Sequence, residues 1–228
     1  MTTPNSDAIS ILGGTGDQGL GLALRFAKAG RPVVIGSRKE DRALAAAAEV
    51  KQKVPGAEVS GFENSEATPK ARIVILSVPF EHTAGTVKAI KEALQPGQIV
   101  VSMAVPLATA IGDGAVRTLG IWQGSAAEMV KTLVPKGVEV VSAFQNVSAH
   151  RLQELADPVE CDVLVSGAKD ARDEVSALCE LVPGLRAING GPLSNAKIVE
   201  EMTALLIGLN IRYKVKEGLG FRLTGLPE

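Results

Sequence analysis

An aliphatic stretch ending at Leu12 runs directly into Gly13-Gly14-Thr15-Gly16-Asp17-Gln18-Gly19, and a helix-like segment opens at Gln18. Gly14, Gly16 and Gly19 give the spacing GxGxxG between a strand and a helix, the setting in which that pattern becomes a dinucleotide fingerprint. Gly14 is read as the tight turn, Gly16 as the point where backbone approaches a pyrophosphate, and Gly19 as the point of close helix–strand packing. The helix start then turns free N–H groups toward a diphosphate.

The rest of the chain repeats the same arrangement. Short β-branched and aliphatic runs at residues 8–12, 33–36, 59–61, 73–78, 99–102, 138–142 and 162–166 read as strands. Between them, residues 18–29, 41–53, 81–94, 125–133, 170–181 and 195–216 read as helices. Strands that are apolar throughout are covered on both faces, and helical crossovers make them parallel. The fold class is therefore α/β, a doubly wound parallel sheet of Rossmann type. The pattern changes near His150, where residues 151–160 are polar and contain Pro158. A domain at 1–149 and a smaller C-terminal α/β unit at 150–228 are expected. The last helix is apolar on most faces over residues 198–211, which predicts burial within this chain or against another.

Composition excludes several classes. The 228 residues carry 24 Lys and Arg against 25 Asp and Glu, a net charge of −1, so no positive field is available to hold nucleic acid. Seven aromatics leave little for base stacking. Cys161 and Cys179 share no ligand spacing, so no metal site or disulfide framework is expected and both read as buried thiols. The first residues lack the basic and apolar segments of a secretory signal, and no apolar run is long enough for a membrane span. A cytoplasmic location is expected, with no membrane or nucleic-acid partner.

The second strand decides which dinucleotide is bound. An acid at its tip would take the ribose hydroxyls of NAD, but this chain has Ser37, Arg38 and Lys39, with Arg42 one helical turn on. That composition suits NADP: Arg38 offers a planar fork to a 2′-phosphate, Arg42 a second charge, and Ser37 and Thr15 hydroxyls. Val78, Pro79 and His82 follow the fourth strand, where the nicotinamide half would cross the sheet, and His82 reads as a binding residue rather than a proton donor. The loops at 102–106 and 143–147 complete an apolar floor. His150 reads as structural. The single tyrosine, Tyr213, has Glu217 four residues on, so a Tyr-xxx-Lys relay is excluded, and no GxSxG elbow occurs. No catalytic acid or base is assigned. Such a cleft suits hydride transfer between two aromatic cofactors.

Gly13-Gly14-Thr15-Gly16, Gly36-Ser37-Arg38, Val78-Pro79-Phe80-Glu81-His82, the 102–106 segment and, most specifically, Gly191-Pro192-Leu193-Ser194-Asn195 with Val199-Glu200 resemble the F420-dependent NADP oxidoreductases. The resemblance runs in order from Ile9 to about Gly220. It implies an NADP-binding domain, a small C-terminal domain, a homodimer, and reversible hydride transfer between NADPH and C5 of the deazaflavin coenzyme F420. It also implies NADP contacts at Thr15, Gly16, Asp17, Gln18, Ser37, Arg38, Arg42, Val78, His82, Val105 and Ala149, with F420 near Lys197, Thr203 and Leu219. Gln145, in place of a histidine of an archaeal member, and Glu201, beside the anionic F420 tail, depart from the pattern. An NADPH-dependent reductase of flavin or of a small imine or ketone, and a non-catalytic NADP sensor, are the alternatives. Bleaching of oxidised F420 by NADPH separates them.

Overall fold

Alternate residues of a strand face opposite sides of a sheet, so a strand apolar at every position fills two cores. β1 (Asn5–Leu12) and β4 (Ala71–Leu76) approach this, each sending aliphatic side chains to both faces. Ile9, Ile11, Ile73 and Ile75 enter one core with Leu22 and Phe26, while Leu12, Val74 and Leu76 enter another with Val87 and Ile90. Each such aliphatic side chain withdrawn from water contributes about 1.5–3 kcal/mol.

The structure is a computed structural model and describes residues 5–226. The remaining strands are β2 (Val33–Ser37), β3 (Val59–Glu63), β5 (Ile99–Ser102), β6 (Glu139–Ser142), β7 (Cys161–Gly167) and β8 (Leu185–Gly191). The helices are α1 (Asp17–Lys28), α2 (Glu40–Lys53), α3 (Asn64–Ala67), α4 (Phe80–Ile90), α5 (Ala126–Leu133), α6 (Ala149–Gln153), α7 (Lys169–Glu180) and α8 (Ala196–Tyr213). All eight strands form one sheet in the order β3-β2-β1-β4-β5-β6-β7-β8. The order reverses between β1 and β4, which opens a crevice beyond their carboxyl ends.

The first six strands are parallel, but β7 is antiparallel to β6. Only the end of β7 pairs with β6, through Val141–Gly167 and Ser142–Ser166. Residues 161–165, and the β8 strand paired parallel to β7, therefore project past the carboxyl edge of β6. The reversal also keeps residues 143–160 on that edge. Buried Arg25 fastens α6 to α1 by donating to the carbonyls of Leu152 at 2.8 Å, Arg151 at 2.6 Å and Glu154 at 2.5 Å.

Three local expectations change. β8 (Leu185–Gly191) is a strand where none was expected; as an edge strand it keeps most of its residues partly exposed, so it carries no apolar run. The fourth strand ends at Leu76 because the chain bends away through Ser77 and Val78 before Pro79 caps α4. Finally, α8 leaves Ile198, Leu205, Ile211 and Tyr213 60–69% exposed in this chain, so the burial expected of it is not met within one copy. Both cysteines are free and buried, and burial pushes both thiols up, away from the reactive thiolate. Among the described residues, no helix is long and apolar enough to cross a membrane and no cluster of His, Cys, Asp and Glu could hold a metal ion.

Candidate functional site

The glycine loop sits at the crevice between β1 and β4. Its left-handed residue is Gly13, with φ +78°, and a Cβ there would lie 2.4 Å from the Ser77 carbonyl oxygen. The turn expected at Gly14 is therefore made one residue earlier. Gly14 instead packs tightly: a Cβ on it would meet the Ile11 carbonyl oxygen at 2.9 Å. Gly19 keeps its expected role, since a Cβ there would stand 2.7 Å from the Gly13 oxygen and 2.8 Å from the Gly14 Cα. Gly16 caps α1 without a side chain, so the first amides of the helix meet no side-chain acceptor and face the crevice. The side chain of Gln18 is already committed, donating to the carbonyls of Phe144 at 3.0 Å and Val147 at 3.1 Å. Its backbone amide remains for a ligand.

Two recesses of about 520 Å³ each open from this loop. The first is lined by Thr15, Gly16, Ser37, Arg38, Lys39, Arg42, Asn64, Ser77, Val78, Pro79, His82 and Thr86. It gathers the cations at the end of β2 with no carboxylate on its wall. Neither Arg38 nor Arg42 is held by an ion pair among the described residues, so both charges are free to meet an anion.

The second recess shares Gly16, Ser77, Val78 and Pro79 with the first and continues past Asp17, Gln18, Phe80, Met103, Ala104, Val105, Leu107, Gln145, Thr203 and Ile207. Its walls are mostly apolar, with Asp17 and Glu81 as the charged groups. Gln145 is the polar exception at depth. It is 5% exposed, and its amide nitrogen donates to the Ser142 hydroxyl and the Ser102 carbonyl, while its Oε1 has no partner. The residue before it, Phe144, is held at φ +68° against the edge of Phe26, an uncommon conformation for an aromatic residue.

A third recess of about 390 Å³ continues from Asp17, Gln145, Thr203 and Ile207 to Ala149, His150, Asn210, Lys216 and Leu219. The chain after α8 is tied down here: Ser148 Oγ donates to the Glu217 carbonyl, Arg151 to that of Gly218, and the Leu219 amide donates to Asn210. Further along, buried Asp162 accepts from Arg186, Arg222 and the Leu223 amide. Burial alone would raise its carboxyl, but these bonds hold it at about 2.

The expected residues thus fall along one groove, from Arg42 through His82, Val105 and Thr203 to Ala149 and Leu219. Gly14 and Gly19 lie beneath it. Lys197 does not join them: it lines a separate recess of about 220 Å³ with Glu200 and Glu201, its amine 4.0 Å from Glu201. Sequence reasoning placed Met103 in the apolar floor but did not single out Asn64, Leu107 or Ile207 as site residues, which have neutral side chains and no motif. Position after a strand, or seven residues beyond Glu200 on α8, is the signal that marks them.

A family model described as NADP oxidoreductase coenzyme F420-dependent matches residues 8–106. The F420-dependent NADP reductase of Methanocaldococcus jannaschii is 50% identical over 223 residues, covering 96% of this chain and 98% of the relative. The enzyme of the same name from Methanothermobacter marburgensis is 43% identical, covering 96% and 99%. The chain belongs to the F420-dependent NADP reductase family. A solved structure from Arthrobacter sp. FB24, 23% identical, superposes with a TM-score of 0.79 over 97% of this chain and all of that one. The reductive aminase of Aspergillus terreus shares the fold at TM-score 0.61 and 15% identity over 92% of this chain and 63% of its own. The fold shared with that structure carries, in this chain, a groove that joins a cationic recess to an apolar cleft.

Proposed function

We propose that this chain transfers a hydride reversibly between NADPH and coenzyme F420. The observation that carries the reading is the continuity of the carboxylate-free cationic recess with the apolar cleft at the carboxyl ends of β1 and β4. Arg38, Arg42, Ser37 and Thr15 would hold the 2′-phosphate, the first amides of α1 the pyrophosphate, and Val78, Pro79, His82, Val105 and Ala149 the nicotinamide half. Thr203 and Leu219 stand where the deazaflavin would lie. The residues fit both groups: the buried, unpartnered Gln145 Oε1 is an acceptor suited to a carboxamide or imide N–H, and leaving it unmet would be costly.

When bound, the reduced nicotinamide supplies the hydride and the deazaflavin accepts it. The protein holds the two rings together and excludes water with Val78, Met103, Val105 and Ile207. No side chain is assigned to proton transfer.

Residues 1–149 carry the NADP contacts, and residues 150–228 supply the F420 wall. The exposed apolar face of α8 suits a second copy of the chain. Two buried free thiols fit a reducing, cytoplasmic setting. Addition of NADPH to the protein with oxidised F420 should bleach the deazaflavin absorbance. Consumption of NADPH with free flavin or an imine, but not F420, would overturn the assignment.

A further inference from the structure

Glu200 is an acid in a place that costs an acid its hydration. It is 1% exposed, and its carboxylate oxygens accept from the amides of Ala126 at 2.9 Å and Ala127 at 3.2 Å, the first two residues of α5. Among the described residues no cation answers it: Lys197, on the same helix, lies near Glu201, and the nearby Glu128 is bonded to Ser125. A bare hydrophobic contact would join two helices at no such desolvation cost. What the carboxylate adds is direction, because two adjacent amides fix both the rotation and the height of the helix that carries it.

Thr203 and Ile207 follow Glu200 by three and seven residues on one stripe of α8, and both line the coenzyme cleft. Resting on the function proposed above, we propose that Glu200 is a positioning residue for the F420 side of the cleft: its bonds to the start of α5 set α8 so that Thr203 and Ile207 meet the deazaflavin. The NADP recess is lined by the glycine loop, the end of β2 with Arg38 and Arg42, and residues of α3 and α4, with no residue of α5 or α8 on its wall.

Two variants test this. Glu200→Gln keeps the shape but turns an N–H pair toward amides that need acceptors. Ala126→Pro, at the first helical position where proline is tolerated and behind Ser125, whose extended backbone (φ −140°, ψ 162°) suits the residue before proline, removes one donor and sets its ring Cδ in the place of the amide hydrogen, so the Glu200 oxygen must move off. In each, at pH 8 where the Glu200 carboxylate is charged, the KM for F420 should rise about tenfold, the loss expected of one charge-assisted hydrogen bond, with kcat and the NADPH dissociation constant within about twofold of wild type. The double variant should lose little more than either single, because both break one link. Unchanged F420 KM in Ala126→Pro, or equal weakening of NADPH and F420, would overturn the proposal. Failure of wild type to reduce F420 would instead overturn the functional reading beneath it.

Discussion

At Arg38 the chain makes its sharpest electrostatic choice. The side chain stands exposed at the end of β2 with no ion pair among the described residues and no carboxylate on the recess wall. Arg38→Ala should weaken NADPH by about tenfold to a hundredfold, the 1.5–3 kcal/mol of one charged hydrogen bond, and leave NADH nearly unchanged. Titration with both cofactors checks this, and equal losses would move the 2′-phosphate elsewhere. His82 lines the same recess in the first turn of α4. His82→Ala should therefore raise the KM for NADPH more than it lowers kcat, whereas loss of a general acid would cost kcat about a hundredfold or more. Glu200 adds a pH term. Burial raises its carboxyl to about 7, against bonds from Ala126 and Ala127 that lower it. An acid raised in the folded state binds more protons there than when unfolded. Its favourable contribution is therefore complete below its unfolded value of 4.5 and is lost as pH rises through about 7. Between pH 5 and pH 8 wild type should lose about 2 kcal/mol of unfolding free energy more than Glu200→Gln in urea melts. A pH dependence identical in both would show that Glu200 is not the group concerned.

Among the elements, legibility followed burial. β1, β2, β4 and β5 were readable because sheets covered on both faces demand runs rich in aliphatic residues, and the glycine loop because backbone must pass where no Cβ fits. β8 was not readable: an edge strand needs no such run, and Leu185-Arg186-Ala187-Ile188-Asn189-Gly190-Gly191 is half exposed. The reversal at β7 was also hidden, since strand direction depends on where the connection lies, and the short α6 that keeps it at the carboxyl edge has five residues of weak pattern. In the site, charged and glycine positions were legible while neutral wall residues were not. Lys197 shows the limit of reasoning from charge alone: it stands six residues before Thr203 on α8, about 9 Å along the helix axis, and lines the recess of Glu200 and Glu201 instead of the coenzyme cleft. The packing of α1 on the loop gives an element-scale expectation. Gly19→Ala would force a methyl to within 2.7 Å of the Gly13 oxygen and push the helix start away. About 1–3 kcal/mol of stability should go, together with much of the NADPH affinity, because the same amides face the pyrophosphate. A variant that melts and binds as wild type would show that the loop yields without moving α1.

For the whole molecule, α8 poses the remaining physical problem. Its inner stripe, with Ala196, Val199 and Ala204, is buried, while Ile198, Leu205 and Ile211 on other faces are 60–67% exposed and Tyr213 follows at its end. Isolated exposed aliphatics need no explanation, but Ile198 and Leu205 stand seven residues apart on one face of α8 with half-buried Leu209 beside them, an apolar strip of the kind that marks association. A second copy of this chain is the partner we propose, because a two-fold contact lets one apolar stripe cover its own equivalent without any new complementary surface. Reversing that match with charge should separate the copies. In Leu205→Glu each two-fold contact would bring two carboxylates into a surface that excludes water, where unpaired charge is strongly disfavoured. Light scattering should give twice the chain mass for wild type and the single-chain mass for the variant at micromolar concentration. The single copy should keep its NADPH affinity, since Arg38 and Arg42 stand on α2 and its approach, in the NADP recess and away from α8. Wild type of single-chain mass would leave the α8 face to some other partner, and a dimer that survives Leu205→Glu would place the contact on a different surface.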